Sequence, residues 1–189
     1  MRFPIIPRDA MTPEQRVVAD EITAGPRGSL RGPFQALLHQ PELARRVQML
    51  GEHLRFKTGI PEHLLELAIS MTARRWTAQF EWYAHAKLAL AAGTDPAIIT
   101  AIAEGRAPTG LSTDQQLVYD FTQELHRDGR LSDAMFARAK ERFGLANVLD
   151  FVALIGYYTT VAMVLNVAEV PLPEGEKPQL KPMPGGGIA

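Results

Sequence analysis

An all-helical chain of seven to eight helices is what this sequence predicts, on three observations. Helix start and stop signals recur along its length, and no alternating polar–apolar run is bounded by hairpin turns. Its 189 residues and 46% apolar content suit one packed domain. The expected organisation is a single helical domain over residues 1–170 followed by a Pro/Gly-rich tail, 171–189.

The first helix opens at Thr12-Pro13-Glu14-Gln15, a capping threonine followed by a first-turn proline and an acid, and stops at Gly25-Pro26. Arg27 to Phe34, rich in glycine and proline, reads as a loop. Gln40-Pro41-Glu42 begins a long helix with Leu43, Val47, Leu50 and Leu54 at helical spacing, closed by Gly59. Ile60-Pro61-Glu62 starts the next. Thr77 to Ala92 is a fourth, ended by Gly93, and Asp95-Pro96 starts a short fifth that ends near Gly105. Ser112-Thr113-Asp114-Gln115 is a capping box introducing a helix to about Arg127. Ser132 caps another that ends at Gly144, and a final helix runs from about Leu145 to Val167, where Pro171 and Pro173 prevent continuation. A tail of the 171–189 composition needs external contacts to be ordered, either on a neighbouring subunit or as an extended strap on its own.

Composition excludes several functions. With no cysteine, the chain has no disulfide, thiolate metal site, iron–sulfur cluster or thiol nucleophile. Twenty basic and 21 acidic residues nearly balance, without a basic stripe, so neither nucleic acid nor an anionic membrane surface is an expected partner. Met1 to Pro7 lacks a signal-peptide core, and the apolar stretch Phe151 to Leu165 is short for a bilayer and interrupted by Gly156 and Thr159-Thr160. A cytoplasmic protein is the expectation. The five histidines stand at no ligand spacing, so no metal is expected.

The stretch from Glu66 to Gly93 carries the candidate chemistry. Glu81 and His85, four apart on one helix, share a face with Ala78, Leu88 and Ala92. A carboxylate beside an imidazole in apolar surroundings fixes the ring tautomer and suits proton transfer near neutral pH. The same spacing equally describes an ordinary surface or interface pair.

These residues resemble the carboxymuconolactone decarboxylase-like family, whose thiol-active branch includes the alkylhydroperoxidase D proteins. The resemblance rests on Glu66-Leu67-Ala68, Ala73-Arg74-Arg75, Glu81-Trp82 with His85, and Ala91-Ala92-Gly93. Gly32-Pro33, Leu37-Leu38 and Pro41 upstream, with Gly156-Tyr157-Tyr158, Leu165-Asn166 and Pro171 downstream, extend it from about Gly32 to Pro173. The peroxidase branch carries a Glu, eleven residues, Cys-x-x-Cys, three residues and a His. Here Glu66 and His85 take the outer places, while Ala78 and Glu81 replace both cysteines, so thiol peroxidase chemistry is excluded.

The resemblance implies an alkylhydroperoxidase D-like helical bundle, a homotrimer or homohexamer, and a cofactor-free lyase or proton-transfer enzyme. Its substrate would be a small carboxylated lactone or enol from aromatic-compound catabolism. His85 is then the proton donor, with Glu66 and Glu81 setting its charge and orientation. Arg74 or Arg75 would hold a substrate carboxylate, though each also suits a helix C-terminus. Trp82 and Tyr158 are candidate pocket walls, with core packing as their alternative. A non-catalytic ligand-binding or assembly protein on the same scaffold remains the alternative to the enzyme.

Overall fold

The computed structural model describes residues 1–182, and every regular element among them is helical. In order these are α1 (Pro13–Ala24), α2 (Pro33–Leu37), α3 (Pro41–Phe56), α4 (Glu62–Arg75), α5 (Gln79–Ala91), α6 (Pro96–Ala103), α7 (Thr113–Asp128) and α8 (Asp133–Ala168). A single 3-10 turn, Arg8–Ala10, precedes them.

The helix ends follow the local chemistry. Thr12 and Ser112 each accept from the backbone N–H three residues on, and Gln15 and Gln115 return the bond, closing two capping boxes. Asp95 and Ser132 cap α6 and α8 in the simpler way. One expected loop differs. The stretch assigned as irregular from Arg27 to Phe34 ends instead in α2, because Gly32 at φ 60° turns the chain so that Pro33 stands at the first helical position.

The bundle is organised around α4, in which every residue from Leu64 to Arg74 is buried. Helices α5, α6, α7 and α8 all pack against it. A helix enclosed on all sides needs no polar stripe, which is why this segment lacks an amphipathic pattern. A smaller cluster, built from Val18, Ile22, Phe34, Leu37 and Leu38, joins α1 and α2 to the bundle.

Helix α8 breaks at Gly144, with φ 78° and ψ 162°, a region essentially closed to other residues. Its second arm, Leu145 to Ala168, packs on α4 and supplies Phe151, Leu154, Tyr157 and Tyr158 to the core. By length and composition α8 is apolar enough to cross a membrane, and half of its most apolar window is buried in the bundle.

The tail lies on its own subunit as far as it is described. Gln79 of α5 accepts from the backbone N–H groups of Gln179 and Leu180 and donates to the Leu180 carbonyl. Trp82 donates its indole N–H to Gln179 (3.0 Å), and Lys87 pairs with Glu176. Residues 183–189 of the expected tail lie outside the described residues.

Candidate active site

Helices α4 and α5 form a hairpin across a three-residue link, so they run antiparallel and side chains distant in sequence face each other. The hairpin joins Glu66 to His85: Nδ1 of the imidazole lies 2.6 Å from Oε2 of the carboxyl group, and both residues are buried. The other oxygen of Glu66 lies 3.7 Å from the guanidinium of Arg55, in the last turn of α3. A carboxylate only accepts hydrogen bonds, so facing Glu66 the imidazole carries its hydrogen on Nδ1. Nε2 is left for chemistry.

On the remaining side, the Tyr158 ring meets the imidazole edge-on at 4.8 Å, and Tyr157 stacks in the same way on Tyr158 at 5.1 Å. Arg27 donates to the Tyr157 hydroxyl at 3.1 Å. Gly51 of α3 permits this approach, because a Cβ there would collide with both the hydroxyl and the guanidinium. A run of contacts thus extends from Arg27 through both tyrosines, His85 and Glu66 to Arg55. Burial pushes the hydroxyls of both tyrosines above their ordinary value, keeping them protonated.

Glu81 does not pair with its helical neighbour. It is 2% exposed, and neither of its carboxyl oxygens has a hydrogen-bond partner among the described residues. Burial alone raises this acid well above the usual carboxylate range, so it is a neutral carboxylic acid rather than a second anion beside His85. The four-residue spacing predicts a shared face correctly, but the partner of His85 comes from the neighbouring helix.

The arginines nearest in sequence lie elsewhere. Eight residues separate Glu66 from Arg74, about 12 Å along α4. Arg74 donates to Thr77, and with Arg75, Arg106 and His126 it lines a separate cavity of about 110 Å³. Glu66 and Arg55 line another, about 190 Å³, with Glu62, Phe56, Ile60, Leu65 and Ile69. Among the described residues the Arg55 guanidinium makes no hydrogen bond; it lies over the Phe56 ring and 3.7 Å from Glu66, which leaves its donors for a ligand. Sequence reasoning missed Arg55, since a basic residue in a last helical turn is expected for the dipole alone. Trp82 is buried, and its indole N–H is spent on the tail.

No cluster of three or more metal-ligating side chains occurs among the described residues. The chain matches no family model and no curated protein. Among solved structures it is similar to the crystal structure of an alkylhydroperoxidase D core, an uncharacterized peroxidase-related protein from Ralstonia eutropha. Identity is 17%, with a TM-score of 0.75 over 92% of each chain. At that identity the likeness establishes architecture alone. The chain has the alkylhydroperoxidase D-like fold, and carries it without a single cysteine.

Proposed function

We propose that this protein is a cofactor-free acid–base enzyme that decarboxylates, or moves a proton on, a small carboxylated lactone or enol. The observation that carries the reading is the buried 2.6 Å contact between Glu66 and His85, with Arg55 on the far side of the same carboxylate. Glu66 orients the imidazole through Nδ1, so Nε2 can take and return a proton. Arg55 is the cation that lines the roughly 190 Å³ cavity, beside the acids Glu62 and Glu66, and supports a compact substrate with an oxygen for it to hold.

Decarboxylation breaks the bond between the substrate carbon and its carboxylate. The electron pair passes into the conjugated carbonyl, and carbon dioxide leaves. His85, as imidazolium, then gives its proton to the carbanionic carbon and recovers one from solvent. The departing carboxylate loses its charge in the transition state, so a cation placed on it would retard the step. Arg55 is best used on the carbonyl oxygen where charge develops, a contribution of several kcal/mol in comparable sites. Buried and uncharged, Glu81 keeps the net charge around His85 from becoming more negative. The reading includes assembly of several copies.

The test is a panel of carboxylated lactones and enols, followed for carbon dioxide release and for deuterium uptake from heavy water. On an accepted substrate, His85→Gln and Glu66→Gln are each expected to lower kcat by roughly 10²–10⁴ with the helical spectrum unchanged. A His85→Gln variant that turns over at the wild-type rate would remove His85 from the mechanism. Tight binding of a panel member without turnover would make this a binding protein instead.

A further inference from the structure

The second arm of α8 is exposed along one side for 24 residues, roughly 36 Å, and that side carries no charge. Its only ionisable residue outside the tyrosines is Asp150, half-buried and bonded to His53. The exposed positions are Leu145, Ala146, Leu149, Val152, Gly156, Thr160, Met163, Asn166 and Val167, with the large apolar side chains from 37% (Val152) to 68% (Leu149) exposed, and the Asn166 amide donates to the Trp76 carbonyl. Thr160 returns its hydroxyl to the Gly156 carbonyl, so it adds no unpaired group to the stripe. An apolar strip of this length on a soluble surface marks a contact site.

The order of these residues says what covers them. Successive spacings are one, three, three, four, four, three, three and one, a sequence that reads the same in both directions from Gly156. Laid against an antiparallel copy of itself, the arm sets Leu145 against Val167, Leu149 against Met163, Val152 against Thr160, and Gly156 against Gly156. A twofold contact requires this self-complementarity. Positions 149, 156 and 163 recur every seven residues, so two such helices stay in contact along their length at a shallow crossing angle.

Gly156 supplies an independent observation. It is helical and exposed, and a Cβ built there would meet nothing within 4 Å in its own chain. A mid-helix glycine costs about 1 kcal/mol relative to alanine. Unlike Gly51, which Tyr157 and Arg27 demand, it has no purpose inside the subunit. At the centre of the palindrome, it is where two backbones would approach most closely.

A third feature fits the same partner. An apolar groove of about 520 Å³ opens beside the C-terminal half of the stripe, walled by Phe3, Leu37, Leu43, Met163 and Val167. The antiparallel register delivers Leu145 and Leu149 of a second copy to this place, and symmetry fills the other groove in return. We infer that the exposed face of α8 is a twofold interface between two copies of this chain, centred on Gly156. Such a contact builds a dimer or, with a threefold, a hexamer, and does not by itself build a closed trimer.

Sedimentation of the wild type at micromolar concentration is expected to give twice the chain mass or an even multiple. Leu149→Lys, on an exposed side chain, should weaken the twofold contact by roughly 100-fold or more while leaving the helical spectrum intact. The cysteine-free background gives a sharper readout. Gly156→Cys should form an intermolecular disulfide under mild oxidation. Leu149→Cys should not, because symmetry separates the two positions by about 21 Å along the helices. The pair Leu149→Cys and Met163→Cys in one chain should cross-link again. A monomeric or purely trimeric wild type would overturn the proposal, as would cross-linking of Leu149→Cys alone.

Discussion

Glu81→Gln is expected to make the protein more stable at neutral pH and to flatten part of its pH dependence. Burial raises the acid well above its usual 4.5, so the folded protein holds a proton there that the unfolded chain releases. A raised folded-state value means no penalty below pH 4.5, where both states are protonated. Above it, stability falls as pH rises, by about 1.4 kcal/mol per pH unit while the folded acid keeps its proton. Glutamine has the same shape and does not titrate, and its unpaired amide adds a constant offset rather than a slope. Urea unfolding followed by far-ultraviolet circular dichroism, at fixed protein concentration and at pH 5, 6, 7 and 8, gives both curves. Their difference should widen steadily with pH. Parallel curves would show that Glu81 binds equal protons in both states, refuting the account of a neutral buried acid.

The opposite slope is expected from His126, held down to about 4 by burial and by the nearby Arg75 charge. Its contribution is intact above pH 6.5 and lost as pH falls towards 4, by about 2–3 kcal/mol after solvent screening. Replacement by phenylalanine should remove that acid sensitivity, and nuclear magnetic resonance should place the wild-type ring titration near 4. Gly144→Ala should cost about 1–3 kcal/mol in unfolding experiments, because its backbone angles at the α8 break are closed to alanine. Gly51→Ala should cost a similar amount, about 1–3 kcal/mol, by forcing a methyl group onto Tyr157 and Arg27. Truncation after Pro171 removes the partner of the Trp82 indole, and a red shift of tryptophan emission would report its exposure.

Most of the helices were legible because their ends are local events. The Thr12 cap, the Ser112 box, the helix start at Asp95-Pro96 and the Gly144 break depend on residues within one turn, and the structure returns each of them. Helix α2 was not legible: its start depends on Gly32 adopting a positive φ, which glycine allows but does not announce. The imidazole of the candidate site could be named from one stretch of sequence, whereas its arrangement could not. Spacing on α5 suggests Glu81 as the partner of His85, while the hairpin supplies Glu66 and α3 supplies Arg55. A one-dimensional pattern reports neighbours on a single helix and carries no information about which helix packs alongside.

What the sequence by itself determined is therefore chemical and local: helices, caps, the absence of sulfur, and a glutamate and histidine in the right stretch. Tertiary structure decided the rest. It placed two glutamates of equal chemistry in opposite surroundings, Glu66 beside a guanidinium and an imidazole, Glu81 among atoms that offer it no partner. The reason is that a carboxyl group's charge is set by solvation and by cations within a few ångströms, and both follow from packing between helices.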